Sequence, residues 1–201
     1  MQNLFMILLK IEKKFIFLIK RKNLKKIFKI SSKKFIVKNT SKLILKYKKK
    51  ISGTVIAIGD NSVREKYFKI LKKNKFKVKT LIHSKSYQGF GSKIGEGSMI
   101  MHGTLINTDT EIGKNCIINS NASIDHDCLI KDHSHICPGV IIAGNVTVGK
   151  NCWIGLGAKI IQNCVIGDNV YVAAGAVITK NIKSNSFVKG IPAKYAKKKL
   201  A

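Results

Sequence analysis

Acidic residues are scarce in this sequence. Its 201 residues include 38 Lys and Arg but only 10 Asp and Glu, for a formal net charge of +28. Residues 1–90 hold 26 of the basic residues against 3 acidic ones, whereas residues 91–201 hold 12 against 7. The basicity therefore belongs mainly to the N-terminal part. Because aromatic residues are not regularly interleaved with a basic groove, specific nucleic-acid recognition is not indicated.

Long apolar runs are also missing. The first one is broken by Lys10 and Glu12, and no stretch reaches the roughly 20 apolar residues that span a bilayer. No small-residue cleavage site follows that run. We therefore expect a cytoplasmic protein. Residues 1–50 are Lys-rich and lack glycine, and weak contact with an anionic membrane surface through this segment is a second interpretation.

A period of six residues runs without insertion through 94–183, giving 15 consecutive hexapeptides. The first position is always β-branched and aliphatic: Ile94, Ile100, Ile106, Ile112, Ile118, Ile124, Ile130, Ile136, Ile142, Val148, Ile154, Ile160, Ile166, Val172 and Ile178. The fifth position is small in every hexapeptide but the last, which has Ile182. Such spacing fits neither an α-helix nor an ordinary strand. Glycine recurs at the second position, where we expect it to supply freedom in φ.

These repeats resemble those of hexapeptide acyltransferases, whose left-handed parallel β-helix has three hexapeptides per coil. That resemblance implies five full coils and stacking of residues 18 apart. Ile82 and Ser86 keep the register, so the coils are expected to begin up to two hexapeptides earlier, with Gln88 as a weaker first residue.

The cysteines follow the same register. Cys116, Cys128, Cys152 and Cys164 occupy the small inward position, where free cysteine acts as a small hydrophobe. Neither disulfides nor a zinc site is indicated. Cys137, at a second position, is expected to be exposed, although nothing else supports a nucleophilic role.

Residues before the coils suggest part of an α/β unit: a strand at 54–59, a basic helix at 62–73 and a strand at 76–82. The predicted organisation has four parts. They are an atypical Lys-rich segment (1–50), a partial α/β acceptor-binding domain (51–82), an all-β left-handed β-helix acyltransferase domain (83–183), and a C-terminal loop with a short helix (184–201).

One predicted column combines reactive and small residues at the third position. It contains His126, Gly144, Gln162 and Lys180, each about 4.8 Å from the next. The acids flanking His126 can hold its tautomer, which suits a general base. Gly144 leaves room for a thioester and can offer its N–H to an oxyanion.

Neighbouring columns suggest the course of an acyl-CoA. Lys180 lies roughly 14 Å from His126, so a pantetheine arm along the coils would bring phosphates near Lys180 and Lys194. Gly155 and Ala173 form a permissive column, and Trp153 and Tyr171 stack with His135. We expect two further histidines to be ordinary surface residues, namely His102 and His133.

Residues 118–149, INSNASIDHDCLIKDHSHICPGVIIAGNVTVG, closely resemble the bacterial sialic acid O-acetyltransferases and UDP-4-amino-sugar N-acetyltransferases. The segment KGIPAKYAKK (189–198) resembles their closing loop and helix. The resemblance, from 54 to 198, implies a homotrimer with acetyl-CoA between adjacent β-helices and no metal. It assigns His126 as general base and Asp127 as its carboxylate. Further residues follow from it: Asn119 and His135 as active-site neighbours, and Gly144, Gly155, Ala173, Lys180, Ile191 and Lys194 as acetyl-CoA contacts.

The N-terminus departs from that family, whose members begin with a strand, a glycine-rich loop and a helix that help to bind the nucleotide of the acceptor sugar. Only the later half of this unit is evident, around 57–61. Packing of residues 1–50 onto 54–82 would favour a remodelled acceptor domain. A detached segment would favour a vestigial or membrane-contacting tail.

Three functions compete at this point. The leading one is transfer of acetyl from acetyl-CoA to an amine or hydroxyl of a sugar, either a nucleotide-activated amino sugar or a sialic acid, in surface-glycan biosynthesis. A zinc carbonic anhydrase would need three imidazoles that converge across subunits, and the acids beside His126 favour acyl transfer instead. The third is a catalytically impaired scaffold or binding protein that acts through its basic N-terminus.

Overall fold

A computed structural model describes residues 6–11, 14–19, 27–30, 33–36 and 51–197 of the chain, with side chains from 53 onward. The chain divides into two compact units, of which the first ends at Lys79 and the second begins at Thr80. The predictions about membrane contact and charge in residues 1–50 depend on side chains outside the described residues. Within the described ranges, no helix has the length and apolarity needed to cross a membrane.

Among its described residues, the first unit contains five strands and one helix: β1 (Met6–Ile11), β2 (Lys14–Ile19), β3 (Ile27–Ile30), β4 (Lys33–Ile36), β5 (Ile51–Ala57) and α1 (Asn61–Lys73). β1 pairs antiparallel with both β2 and β5, and β3 pairs with β4. The segment before residue 50 thus extends the sheet of β5 by two antiparallel strands.

Helix α1 begins where Asp60 caps it, since the carboxylate accepts the N–H of Val63 at 2.9 Å. It packs Phe68 and Leu71 into a core with Ile56 and Ile58. After the helix, Val78 forms a parallel bridge to Thr54. The predicted continuous strand over 76–82 is therefore wrong: it is one bridge in this unit, followed by a separate two-residue strand of the second unit.

The second unit winds through short strands, most of them two residues long, in three sheets that form the sides of a left-handed β-helix and are parallel except at β24. Face 1 contains β6 (Leu81–Ile82), β9 (Met99–Ile100), β12 (Ile117–Ile118), β15 (His135–Ile136), β18 (Trp153–Ile154), β21 (Tyr171–Val172), β23 (Phe187–Lys189) and β24 (Lys194–Tyr195). Face 2 contains β7 (Tyr87–Gln88), β10 (Leu105–Ile106), β13 (Ser123–Ile124), β16 (Ile141–Ile142), β19 (Lys159–Ile160) and β22 (Val177–Ile178). Face 3 contains β8 (Lys93–Ile94), β11 (Glu111–Ile112), β14 (Leu129–Ile130), β17 (Thr147–Val148) and β20 (Val165–Ile166).

The register confirms the predicted stacking, since Ile124 pairs with Ile106 and Ile142. From Ile100 onward, first-position side chains point inward and are almost wholly buried together with the small fifth-position residues. β6 and β7 pair with β9 and β10, so the coils begin two hexapeptides before residue 94, as expected.

Left-handed backbone occurs at the fourth position of the hexapeptides between residues 88 and 177, not at the second position. Every fourth-position residue from Gly91 to Gly175 has φ between 54° and 78°. These positions hold Gly, Asn, Asp and one His, the residues that best tolerate this region. The prediction that second-position glycines supply freedom in φ is wrong. Those glycines allow close approach instead, because a Cβ on Gly155 would lie 2.5 Å from the carbonyl oxygen of Val172.

The last coil is two residues short. Ile182 pairs with Ile166, and Phe187 with Tyr171, at spacings of 16 instead of 18. Ile182 therefore occupies an inward first position, and its assignment to a fifth position is wrong. At the shortened corner a side-chain oxygen takes the place of a backbone carbonyl as hydrogen-bond acceptor. Asn181 Oδ1 accepts the N–H of Val165 at 2.8 Å.

The C-terminal segment turns back as a strand. β24 pairs antiparallel with β23, where Val188 faces Tyr195. The Ala196 N–H also donates to the Phe187 carbonyl at 2.9 Å. Over the described part of 184–201, the predicted short helix is therefore replaced by a β-hairpin, because these bonds extend face 1.

Candidate active site

His126 lies on the corner between faces 2 and 3, directly after β13. Its Nδ1 is 2.7 Å from Asp127 Oδ2. An ionised carboxylate can only accept, so Nδ1 carries the proton, and Nε2 keeps the free lone pair of the neutral ring. The side chains of His126 and Asp127 are 58% and 61% exposed. A basic nitrogen is thus held in one tautomer and open to solvent.

Asp125 fixes the backbone of this corner. Its Oδ1 accepts the His126 N–H at 2.8 Å and the Asn107 side-chain N–H at 2.9 Å. These hydrogen bonds lower the pKa of Asp125, so it remains a carboxylate. Asn107 was missed in the sequence, although it stands one coil before Asp125 in the same column. That 18-residue relation was the available signal.

The acidic neighbours raise the pKa of His126 above its ordinary value. The hydrogen bond that Nδ1 donates to Asp127 is the largest cause, and the charge of Asp125 adds to it. Because the imidazole is exposed, its desolvation opposes this effect only weakly. The site therefore stabilises the imidazolium that forms when Nε2 takes up a proton.

Gly144 stacks one coil above His126. A Cβ on Gly144 would lie 2.7 Å from both Nε2 and Cε1 of the ring. Backbone hydrogen bonds join the coils of this column, since Asn145 donates to the His126 carbonyl at 2.9 Å and Asn163 to that of Gly144 at 3.1 Å. Only a residue without a side chain leaves the basic nitrogen uncovered on that side.

Asn119 and His135 form a second group, on face 1 and its corner with face 2. Their side-chain nitrogens, Nδ2 and Nε2, are 3.1 Å apart. His135 is only 5% exposed and meets Trp153 edge-on at 4.6 Å between ring centres. The structure brings these two residues together, but it places His126 at a different corner of the same chain, with β13 between them.

An aromatic column continues from His135 along face 1. Trp153 and Tyr171 are stacked with centres 5.9 Å apart, and Tyr171 contacts Phe187 at 5.6 Å. The prediction of this column is confirmed for its first three members. Phe187 was missed because the two-residue shortening of the last coil moves it into the column.

The six residues predicted to contact acetyl-CoA are also divided between corners. Gly155 and Ala173 stack above Asn119 on the corner between faces 1 and 2. Gly144 and the exposed Lys180 lie on the His126 corner. Ile191, 77% exposed, and Lys194 lie beyond the last full coil.

Cys137 is buried, which corrects the expectation of an exposed thiol. It is 4% exposed, and burial raises its pKa to about 12. A thiol of this kind is neither accessible nor ionised near neutral pH. Across the part of the chain with described side chains, no cluster of three or more His, Cys, Asp or Glu could hold a metal ion.

The family model described as bacterial transferase hexapeptide (six repeats) matches residues 91–126, 109–144 and 145–180. A mutant of perosamine N-acetyltransferase from Caulobacter crescentus, solved with CoA and GDP-perosamine, is 30% identical over 82% of this chain and 79% of its own, with a TM-score of 0.79. The chain belongs to the bacterial hexapeptide-repeat acetyltransferases.

Two other solved proteins have similar structures. The acetyltransferase domain of PglB from Neisseria gonorrhoeae, in complex with acetyl coenzyme A, is 31% identical over 81% of this chain and 79% of its own, with a TM-score of 0.77. WeeI from Acinetobacter baumannii is 30% identical over 71% of this chain and 69% of its own, with a TM-score of 0.68.

Proposed function

We propose that this acetyltransferase moves an acetyl group from acetyl-CoA to an amine or hydroxyl of a nucleotide-activated sugar or a sialic acid, in surface-glycan biosynthesis. The observation that carries the proposal is the stacking of Gly144 on the free Nε2 of His126. The relatives solved with CoA, acetyl-CoA and GDP-perosamine support both substrate classes.

In this mechanism His126 Nε2 removes a proton from the acceptor as its nitrogen or oxygen attacks the thioester carbonyl. The new C–N or C–O bond forms, the Gly144 N–H donates to the developing oxyanion, and the C–S bond then breaks. The imidazolium returns its proton to the CoA thiolate. Asp127 holds the tautomer throughout. Because the acceptor attacks the thioester directly, this mechanism requires no covalent enzyme intermediate and no metal.

A homotrimer would complete this site. In such a trimer, face 2 of each subunit would point towards the threefold axis. The corner at one edge of face 2 would then lie beside the corner at the other edge of face 2 in the next subunit. The His126 corner of one subunit would then meet the Asn119 and His135 corner of the next. Exposed apolar residues on face 2 support this packing, namely Tyr87, Leu105 and Ile141. Acetyl-CoA would lie between them, along Gly155, Ala173 and Lys180 and towards Ile191 and Lys194.

The N-terminal unit is proposed as a remodelled acceptor domain. β1 pairs with β5 over 6–11 and 51–57, so this part of the chain continues the sheet instead of standing apart from it. This pairing favours a retained role over a vestigial tail. The competing scaffold function predicts tight, salt-sensitive binding of polyanions and indifference to CoA.

The test is CoA release from acetyl-CoA by the purified protein, measured against a panel of UDP- and GDP-amino sugars and sialic acids. We expect acceptor-dependent release that falls by about 10²–10⁴-fold in His126→Ala. His133→Asn is the control, because it removes an imidazole from a different corner. His133 occupies a left-handed fourth position, which Asn also adopts elsewhere in the repeats. Acetyl-CoA binding without turnover on any acceptor would refute the proposal.

A further inference from the structure

Phe90 is the large apolar side chain with the greatest exposure among those described, at 89%. It occupies the third position of the first coil, and its carbonyl accepts the N–H of Asp109 at 3.0 Å. In the next coil, the carbonyl of Thr108 accepts the N–H of Asp127 at 3.1 Å. Phe90, Thr108 and His126 therefore stand in one column, with Phe90 two strand spacings, about 9.6 Å, from His126.

The backbone on both sides of Phe90 is closely packed. A Cβ on Gly89 would lie 2.6 Å from the Thr108 nitrogen, and one on Gly91 would meet the Asp109 carboxylate. Gly91 also has a φ of +71°. A side chain at Gly89 would collide with backbone, and one at Gly91 would have to displace the Asp109 carboxylate. The phenyl ring thus projects alone from a fixed corner, and its exposure is not caused by a loose loop.

His126 divides this column of third-position residues into two parts. On one side Gly144 and Lys180 provide the small and basic residues proposed to contact acetyl-CoA. The acceptor must also reach Nε2, but its remaining atoms need a separate surface. The column offers that surface in the opposite direction, over Thr108 and towards Phe90.

We infer that Phe90 is a specificity-determining residue that packs against the sugar ring of the acceptor, on the opposite side of His126 from acetyl-CoA. This inference rests on the proposed function and adds the surface that selects the acceptor. Pyranose rings have faces lined by C–H bonds, which pack on aromatic rings while their hydroxyls remain hydrated. A ring held over Thr108 fits between the imidazole and the phenyl group.

Steady-state kinetics of Phe90→Ala test this assignment with the acceptor on which the wild-type protein is active. We expect the KM for the acceptor to rise about tenfold, while the KM for acetyl-CoA stays within twofold. Phe90→Tyr should restore the acceptor KM, since it keeps the aromatic face. Val165→Ala removes another exposed apolar side chain, on face 3, and should leave both constants unchanged.

Each other outcome has a distinct meaning. An unchanged acceptor KM in Phe90→Ala, with normal wild-type turnover, overturns the assignment of Phe90 and leaves the acetyltransferase proposal standing. A change in oligomeric state on gel filtration, with the acceptor KM unaltered, makes Phe90 a subunit contact and also overturns it. Absence of wild-type turnover on every acceptor overturns both proposals.

Discussion

A methyl group on Gly144 would lie 2.7 Å from Nε2 of His126. That distance is too short for non-bonded atoms, so Gly144→Ala must turn the imidazole away. The ring is exposed, so it can move at little cost. We therefore expect normal thermal stability but a kcat reduced by about 10²-fold, because small displacements of a catalytic group are that costly.

A double variant checks the cause of that loss. If Gly144→Ala acts by displacing the imidazole, it should add little to the loss already produced by His126→Ala. Fully multiplicative losses in kcat would instead mean that Gly144 acts independently, for example through its N–H.

The pH dependence of catalysis should reflect the acids around His126. A base acts in its neutral form, so kcat/KM should rise with pH through the His126 pKa, which lies above the ordinary 6.5. Asp127→Asn removes the hydrogen-bonding carboxylate, the largest cause of that increase. The pKa should fall, and the acidic limb of the kcat/KM profile should move to lower pH.

Asp132→Asn is the control for this measurement, because Asp132 accepts the Lys114 N–H at 2.7 Å on another corner. The acidic limb of the kcat/KM profile of Asp132→Asn should coincide with that of the wild type. An Asp127→Asn limb that stayed in place, or moved to higher pH, would contradict the assignment of Nδ1 to Asp127.

The cysteines should be inert in the native protein. All five are buried, and burial raises the pKa of Cys137 to about 12 and that of Cys152 to about 11. A thiol-specific chromogenic disulfide at pH 8 should label fewer than one thiol per folded chain and five after denaturation. Rapid labelling of Cys137, with loss of activity, would show that this corner opens.

The narrow interior of the β-helix should limit the size of the side chains that point inward. Ala122 is fully buried at a small fifth position, so Ala122→Leu should lower the free energy of unfolding by about 1–3 kcal/mol. Urea denaturation at one protein concentration measures this. Thr147→Leu adds similar bulk on the outside of face 3 and should change stability far less, whereas equal effects would mean that the interior has room to spare.

The hexapeptide period predicted the stacking in the candidate site because it fixes which residues lie above one another. Once Ile124 was assigned to a first position, the position of Gly144 above His126 followed without any knowledge of side-chain contacts. The same rule fails wherever the chain leaves the period. Ile182 was the visible exception at the fifth position, yet only the observed pairing with Ile166 revealed two missing residues. Phe187 was lost from the aromatic column for this reason.

Other errors arose because the repeat specifies position but not surroundings. Cys137 follows the register, and its burial depends on neighbours that the period does not describe. The antiparallel pairing of β1 with β5 had no periodic signal at all. Long-range pairing of this kind depends on chain topology, which sequence patterns describe poorly.

A parallel solenoid has no inherent length, because each coil offers the next one a complete row of unpaired backbone groups. The hairpin of β23 and β24 ends that propagation on face 1. Its outer strand is two residues long and carries a lysine, two features that discourage a foreign strand from adding to an edge. The same segment that extends past the last coil thus makes this edge of face 1 a poor template for a strand from a second molecule.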